Sequence, residues 1–234
     1  MSLLTPAELA ALKKFDSPTI SNAIEGFNVR PRNEGFMGPE IKCIQAVDEP
    51  VVGYAYTAKI AAFDPPTDAQ KALRFEYWKG VLDSPKPTIA VLQDVDPKPI
   101  GSFWGEVNAS IHRALGCIAT ITNGGVRDLD EVRAVGFSYF ASCVLVSHAY
   151  IHLVEIGCPV EVGGLVVHPG DLLHADKHGV VLIPKEIAKE VAAAAERVVA
   201  AEEPVIKYCR ENFDGGIELE RLKALMEEMA RRRG

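Results

Sequence analysis

Between Thr88 and Val146 the chain alternates between short apolar runs and helical patterns, and this order constrains the fold more than any other feature. The run TIAVLQDV (residues 88–95) is apolar and ends in acid, which suits a buried strand whose carboxyl end points at a site. A helical pattern follows from Glu106 to Leu115, with Gly116 as its stop. Then come the strand CIATIT, the loop NGGVRD, a short helix and the strand FSYFASCVLV. Strand–helix–strand units in succession need crossovers between parallel neighbours, so the pattern predicts a parallel sheet with right-handed connections.

The flanking segments extend this core. Thr5, Pro6 and Glu8 have the order of an N-cap, first helical residue and capping-box partner, and Leu9, Leu12 and Phe15 recur on one face. Ser17 and Pro18 repeat the start signal and Gly26 supplies a stop, giving a second helix over about 19–25. Residues 27–40 are rich in Gly, Pro and Asn and read as a loop. Residues 41–47 and 51–61 read as strands joined by a turn at Asp48, Glu49 and Pro50. The loop FDPPTDAQ leads into a weak helix over about 69–82. Residues 159–167 and 179–183 read as strands around the turn-rich link HPGDLLHADKHG, followed by helices over 185–209 and 217–232. No repeat or low-complexity linker divides the chain. The expectation is one α/β domain over residues 1–234, with a core of about 15–190, added N-terminal helices and a C-terminal helical extension of about 185–234.

Composition narrows the partners. With 25 Lys+Arg against 32 Asp+Glu, the formal net charge of −7 disfavours nucleic acid and anionic membranes. The 48% apolar content excludes general disorder. Five scattered cysteines (Cys43, Cys117, Cys143, Cys158, Cys209) fit reduced thiols rather than a disulfide framework or a zinc motif. The N-terminus lacks signal-peptide features and no apolar run reaches about 18 residues, so a soluble, cytoplasmic protein is expected. An anionic small molecule remains compatible with the acidic chain if a metal or a local Arg offsets the field.

The stretch GSFWGEVNASIHRALGCIATITNGGVRDLDEV holds the candidate chemistry. Gly105 and Glu106 open a helix, so the amides of Val107 and Asn108 lack intrahelical partners and can receive an anion. Gly124, Gly125, Arg127 and Asp128 follow the next strand, at the carboxyl end of the sheet where ligands collect. Together these loops offer an anion-binding helix terminus, a guanidinium able to grip a carboxylate, and carboxylates able to hold a hard cation. Such parts suit stabilisation of an enolate. The same residues also admit a structural reading, in which the glycines make a tight turn, Asp128 caps the following helix and Arg127 forms a surface ion pair.

Gly105-Glu106, followed 21 residues later by Arg127-Asp128, resembles the signature shared by the regulator-of-ribonuclease-E-activity-A family and the class II 4-hydroxy-4-methyl-2-oxoglutarate aldolases. VHPGDLLHADKHGVVLIP (167–184) is similar to that family's second motif, and FDSPTISNAI and VVGYAYTAKI extend the similarity over roughly residues 15–190. The resemblance implies a swivelling β/β/α fold assembled as a homotrimer or hexamer, with sites at subunit interfaces. In the aldolase branch it implies a divalent metal, Mg2+ with Mn2+ as a substitute, held at Asp128 largely through water. Arg127 would bind the pyruvyl carboxylate or keto oxygen with help from Val107 and Asn108, and Glu106 would hold a water acting in proton transfer. The implied activity is lyase cleavage of a C–C bond in a short 2-oxo acid to release pyruvate through a metal-stabilised enolate, by aldol cleavage, oxaloacetate decarboxylation, or both. The alternative is a non-catalytic regulator of the ribonuclease E inhibitor type. An older methyltransferase label in the family finds no glycine-rich nucleotide loop here. Asn22 stands where many members have Asp, Glu106 stands where aldolases often have Asp, and Glu202 and Glu203 are candidates for completing a neighbouring subunit's site.

Other chemistry-bearing residues have structural expectations. His168, Asp171, His174, Asp176 and His178 fit no familiar zinc spacing, and the acids are expected to bond turn amides. His112 is expected at a surface or interface. Phe103 and Trp104 can line a pocket or pack in the core. His148 and His152 would share a face if their segment were helical, and Cys117 and Cys143 are expected as small core residues.

Overall fold

A computed structural model of the chain describes residues 3–46 and 49–233. In chain order the elements are α1 (Pro6–Leu12), α2 (Ser17–Glu25), β1 (Lys42–Gln45), β2 (Val51–Ala61), α3 (Asp68–Asp83), β3 (Thr88–Asp94), β4 (Ser102–Trp104) and α4 (Glu106–Ala114). They continue with β5 (Cys117–Val126), α5 (Leu129–Val135), β6 (Ser138–Val144), β7 (His152–Ile156), β8 (Val160–Val162), β9 (Leu165–Val167), β10 (Leu172–Asp176), β11 (Gly179–Ile183), α6 (Val191–Arg210) and α7 (Leu219–Arg233). The expected α/β architecture with terminal helices is present. Val47, the last residue of the first expected strand, and Asp48, the first of the expected turn, lie outside the described residues, and β1 and β2 are not sheet neighbours.

The main sheet runs β1-β6-β5-β3-β2-β10-β11, with β4 on β5 and β7 on β2. Its centre is parallel, β2 to β3 to β5 to β6, as the alternating pattern predicts. Antiparallel strands flank that centre on both sides, which gives the swivelling β/β/α arrangement. Loops after β3, β5 and β6 therefore emerge at one end of the sheet, where the site lies.

Residues 172–176, read as part of a turn-rich link, form β10, buried throughout and paired with both β2 and β11. The polar residues that hide this strand form a clasp on the N-terminal helices. His174 Nε2 lies 3.1 Å from the Phe15 carbonyl and its Nδ1 2.9 Å from the Ser17 hydroxyl, while Asp176 accepts the Ser17 amide at 3.0 Å. A ring nitrogen facing a carbonyl must carry the proton, so His174 donates from Nε2 and accepts at Nδ1. Asp171 accepts the His168 amide and Asp176 the His178 amide, both at 2.8 Å, as expected of acids bonding turn amides. Above the clasp, Leu9, Leu12, Ile20 and Ile24 pack with Val191 and Val198 of α6 against β2, β10 and β11.

His112, expected at a surface or interface, is fully buried. With Ala109 it forms the inward face of α4, three residues apart on one side of the helix. Its ring lies 4.5 Å from that of Trp104, Nδ1 is 2.6 Å from the Asn108 carbonyl and Nε2 is 3.0 Å from the Tyr77 hydroxyl. Burial depresses its pKa to about 4. Trp104 is likewise fully buried, so it packs in the core rather than walling the site.

The His112 ring predicts a pH dependence. An unfolded His titrates near 6.5, whereas the native ring stays neutral to about 4. Its contribution is complete above pH 6.5 and is lost as pH falls from 6.5 towards 4. Urea unfolding of the wild type and His112→Gln at pH 7.5 and 4.5 should show the difference between them shrinking at the lower pH by on the order of 2–3 kcal/mol. A pH-independent difference would refute the assignment.

Candidate active site

Short parallel pairing of β4 with β5 places the two motifs side by side. Trp104 opposes Val126, and the Arg127 amide donates to the Trp104 carbonyl at 3.1 Å. Immediately beyond this rung, one chain turns into α4 at Gly105-Glu106 and the other leaves at Arg127-Asp128. Gly124 and Gly125, expected in a tight turn, are instead strand residues within β5. A Cβ at 124 would come 3.1 Å from Asp94 Oδ2, and one at 125 would come 2.4 Å from Leu145 Cδ1. These glycines serve the close approach of neighbouring side chains.

Asp128 decides the local geometry. It occupies the N-cap position of α5, yet its φ of 56° is left-handed and its side chain makes no cap bond to that helix. The carboxylate reaches across instead, and its Oδ2 accepts the Glu106 amide at 2.9 Å. It thus caps α4, whose own N-cap, Gly105, has no side chain with which to do so. Gly105 leaves the necessary space, since a Cβ there would stand 2.5 Å from Asp128 Oδ2 and 3.1 Å from Arg127 Nε. Arg127 Nε lies 3.9 Å from the same carboxylate oxygen. The structural alternative is therefore half right: Asp128 is a cap, but of the other motif's helix.

These groups open onto a cavity of about 360 Å³ whose wall includes Gly105, Val107, Asn108, Arg127 and Asp128. Val107 and Asn108 stand in the first turn of α4, where backbone N–H groups point outward without intrahelical acceptors and carry the positive end of the helix dipole. The Asn108 side chain turns back to donate to the Phe103 carbonyl. Glu106 is brought near by its amide, but its exposed side chain does not form part of the wall. Glu202 pairs with Arg233 of α7, and neither Glu202 nor Glu203 lines the cavity. Asn22 lies apart, in a cleft of about 130 Å³ with Arg197 and Arg233.

The rest of the lining comes from segments outside the two motifs. His148, Ala149, Tyr150 and Ile151 follow β6, and Arg74 projects from α3. The segment carrying His148 and His152 is not helical, since His152 begins β7. It is held as a loop by the Ser102 amide donating to Ser147 O at 2.9 Å and the Tyr150 amide donating to Ala62 O at 3.2 Å. The signal for this loop was its place after β6, the last strand of the parallel centre, the same rule that located Arg127.

A cation would have one protein carboxylate to bind. Asp128 Oδ1 has no hydrogen bond among the described residues, and these contain no group of three His, Cys, Asp or Glu able to hold a metal. One half-exposed carboxylate suits magnesium, which keeps several waters and shares its sphere with substrate, better than zinc, which takes three or four protein ligands.

Comparison with known proteins identifies the framework. The RraA-like family, described as Aldolase/RraA, matches residues 17–182. The chain belongs to this family. It is 23% identical over 209 residues to a Halalkalibacterium halodurans protein named "Putative 4-hydroxy-4-methyl-2-oxoglutarate aldolase", covering 86% of this chain and 89% of that one. It is 23% identical over 158 residues to Protein DlpA of Legionella pneumophila, covering 66% of this chain but only 25%, about a quarter, of DlpA. The structure of Streptomyces coelicolor RraAS2, titled an unusual member of the RNase ES inhibitor RraA family, superposes with a TM-score of 0.68 at 18% identity. That match covers 87% of this chain and 97% of that one, and it shows a shared fold.

Gly105→Ala tests the cross-motif cap. The added methyl should force Asp128 off the Glu106 amide, whose hydrogen exchange should accelerate at least tenfold by NMR. Global stability should fall by about 1–3 kcal/mol, the worth of a bond to a charged acceptor, since the extended backbone at 105 itself accepts alanine. Unchanged exchange at Glu106 would show that the bond does not depend on the glycine.

Proposed function

We propose that the protein is a divalent-metal-dependent lyase that cleaves a C–C bond in a short 2-oxo acid to release pyruvate, as a 4-hydroxy-4-methyl-2-oxoglutarate aldolase, an oxaloacetate decarboxylase, or both. The observation that carries this reading is the Asp128–Glu106 bond. It gathers a carboxylate with a free oxygen, the Arg127 guanidinium and the α4 amides around one cavity.

In this reading Arg127 receives the substrate carboxylate or its 2-oxo oxygen. The amides of Val107 and Asn108 face the oxygen on which charge develops. As the C3–C4 bond breaks, its electron pair passes into the carbonyl to give an enolate, which is then protonated at C3. In aldol cleavage the C4 hydroxyl must also lose its proton, and Glu106, at the edge of the cavity, takes it through a water. In decarboxylation the departing group is CO2 and that step is absent. A divalent cation at Asp128, Mg2+ foremost and Mn2+ as a substitute, would supply Lewis-acid stabilisation of the same charge.

Exposed apolar side chains near the cavity support a homotrimer or hexamer in which a second copy covers this face. Val107 and Phe75 are each 73% exposed and Val146 94%. No helix is long and apolar enough to cross a membrane. The free state of all five cysteines supports a reducing, cytoplasmic setting.

Pyruvate release from oxaloacetate and from 4-hydroxy-4-methyl-2-oxoglutarate, followed by NADH oxidation with lactate dehydrogenase, tests the proposal. Activity should vanish with a chelator and return with magnesium. Asp128→Asn and Arg127→Ala should each lower kcat/KM by about 100-fold or more, with urea midpoints little changed. A wild type inactive on both acids, or variants as active as wild type, would sink it in favour of the non-catalytic regulator.

A further inference from the structure

The cavity holds a second guanidinium that neither sequence motif contains. Arg74 lies on α3, one turn before Tyr77 and two before Val81, the buried residues of that helix. It therefore stands at the edge of the inward face. The other cations of α3 are matched locally, Lys71 with Asp68 and Lys79 with Asp83. Arg74 has no salt bridge among the described residues. In a chain of net charge −7, an unmatched guanidinium at a cavity wall is a conspicuous local excess of positive charge.

Arg74 also sits at a junction. The 360 Å³ cavity containing Arg127 and Asp128 adjoins a second of about 330 Å³, and Arg74 lines both, with Pro66, Phe103 and Ile151 as the other shared wall residues. At about 30 Å³ for a water-sized group, the first cavity alone holds roughly a dozen such groups, well beyond a three-carbon pyruvyl unit. Arg127 and the α4 amides occupy one part of the wall, and Arg74 enters from a different element. A substrate anchored at Arg127 thus extends towards Arg74.

We infer that Arg74 is a specificity-determining residue that receives the distal carboxylate of the substrate and so selects 2-oxo acids bearing a second carboxylate over monocarboxylic analogues of equal length. The inference rests on the lyase reading for its catalytic consequence but not for its binding consequence. A guanidinium fork matches a carboxylate in two hydrogen bonds, which lysine cannot reproduce and glutamine reproduces only without charge.

Two readouts separate this inference from the lyase assignment. The first is calorimetric binding of 2-oxoglutarate and of 2-oxopentanoate, matched in length, to the full chain with magnesium. The wild type should favour the dicarboxylate by roughly 10- to 100-fold, the range of one charged hydrogen-bonded contact. Arg74→Gln should bring the ratio close to one, and Arg74→Lys should retain an intermediate ratio. The second readout is kcat/KM on 4-hydroxy-4-methyl-2-oxoglutarate against 4-hydroxy-2-oxopentanoate, where Arg74→Gln should lower the ratio by roughly 30-fold, mainly through KM. Arg127→Ala should weaken both acids together. Equal loss on both acids in Arg74→Gln, an unchanged ratio, or no binding of 2-oxoglutarate by wild type would overturn the role of Arg74. Selective binding without pyruvate release would instead retain Arg74 and refute the lyase assignment.

Discussion

The contact on which the site depends is the bond from the Glu106 amide to the Asp128 carboxylate. It exists because β4 and β5 run parallel, so the chain ends of both strands reach the same height, one entering α4 and the other leaving towards α5. The left-handed backbone at Asp128 costs about 1–2 kcal/mol. A hydrogen bond to a charged acceptor contributes about 1.5–3 kcal/mol, enough to offset that cost only while Gly105 keeps the approach open. The spacing between the motifs is thus the length of one helix and one strand, α4 and β5, that return the chain to its starting level.

Much of this was legible in the sequence because it follows from periodicity and local caps. The capping box at Thr5 and Glu8, the helix stop at Gly116 and the parallel order of β3, β5 and β6 are local or nearest-neighbour properties. The pairing of Gly105 with Arg127 and Asp128 was legible because both loops follow neighbouring strands. What escaped depends on long-range compensation. β10 was hidden because His174 and Asp176 look unsuited to a core strand until Phe15 and Ser17, more than 150 residues away, supply their partners. His112 was expected at a surface or interface because, although Asn108 O lies one turn back on the same helix, the Tyr77 hydroxyl that satisfies Nε2 comes from α3, 35 residues away. Arg74 carries no motif, and only the docking of α3 beside the β6–β7 loop turns it towards the cavity.

Buried ionisable groups around the site act in opposition. Asp94, at the carboxyl end of β3, is nearly fully buried, with Oδ1 accepting the Asp96 amide at 3.0 Å and Oδ2 without a partner among the described residues. Burial pushes its pKa up to about 6. A carboxyl whose native pKa exceeds its unfolded value near 3.9 stabilises the fold at low pH, and this contribution is lost as pH rises through about 6. His112 has the reverse sign over nearly the same interval. The two residues flank the motif loops from adjoining strands and helices, so their opposed linkages flatten the stability profile where either alone would tilt it.

The same opposition of local and global charge bears on recognition. At long range a protein of net charge −7 repels an anionic acid, yet beyond about one Debye length, near 8 Å at physiological salt, that repulsion is largely screened. Inside the cavity the balance is set by a few groups: Arg127 and Arg74 against Asp128, with the α4 dipole adding positive character. On the lyase reading, selectivity follows from where the guanidiniums stand rather than from the total charge. An acid with one carboxylate satisfies one guanidinium and leaves the other facing the cavity alone, whereas an acid with two can engage both.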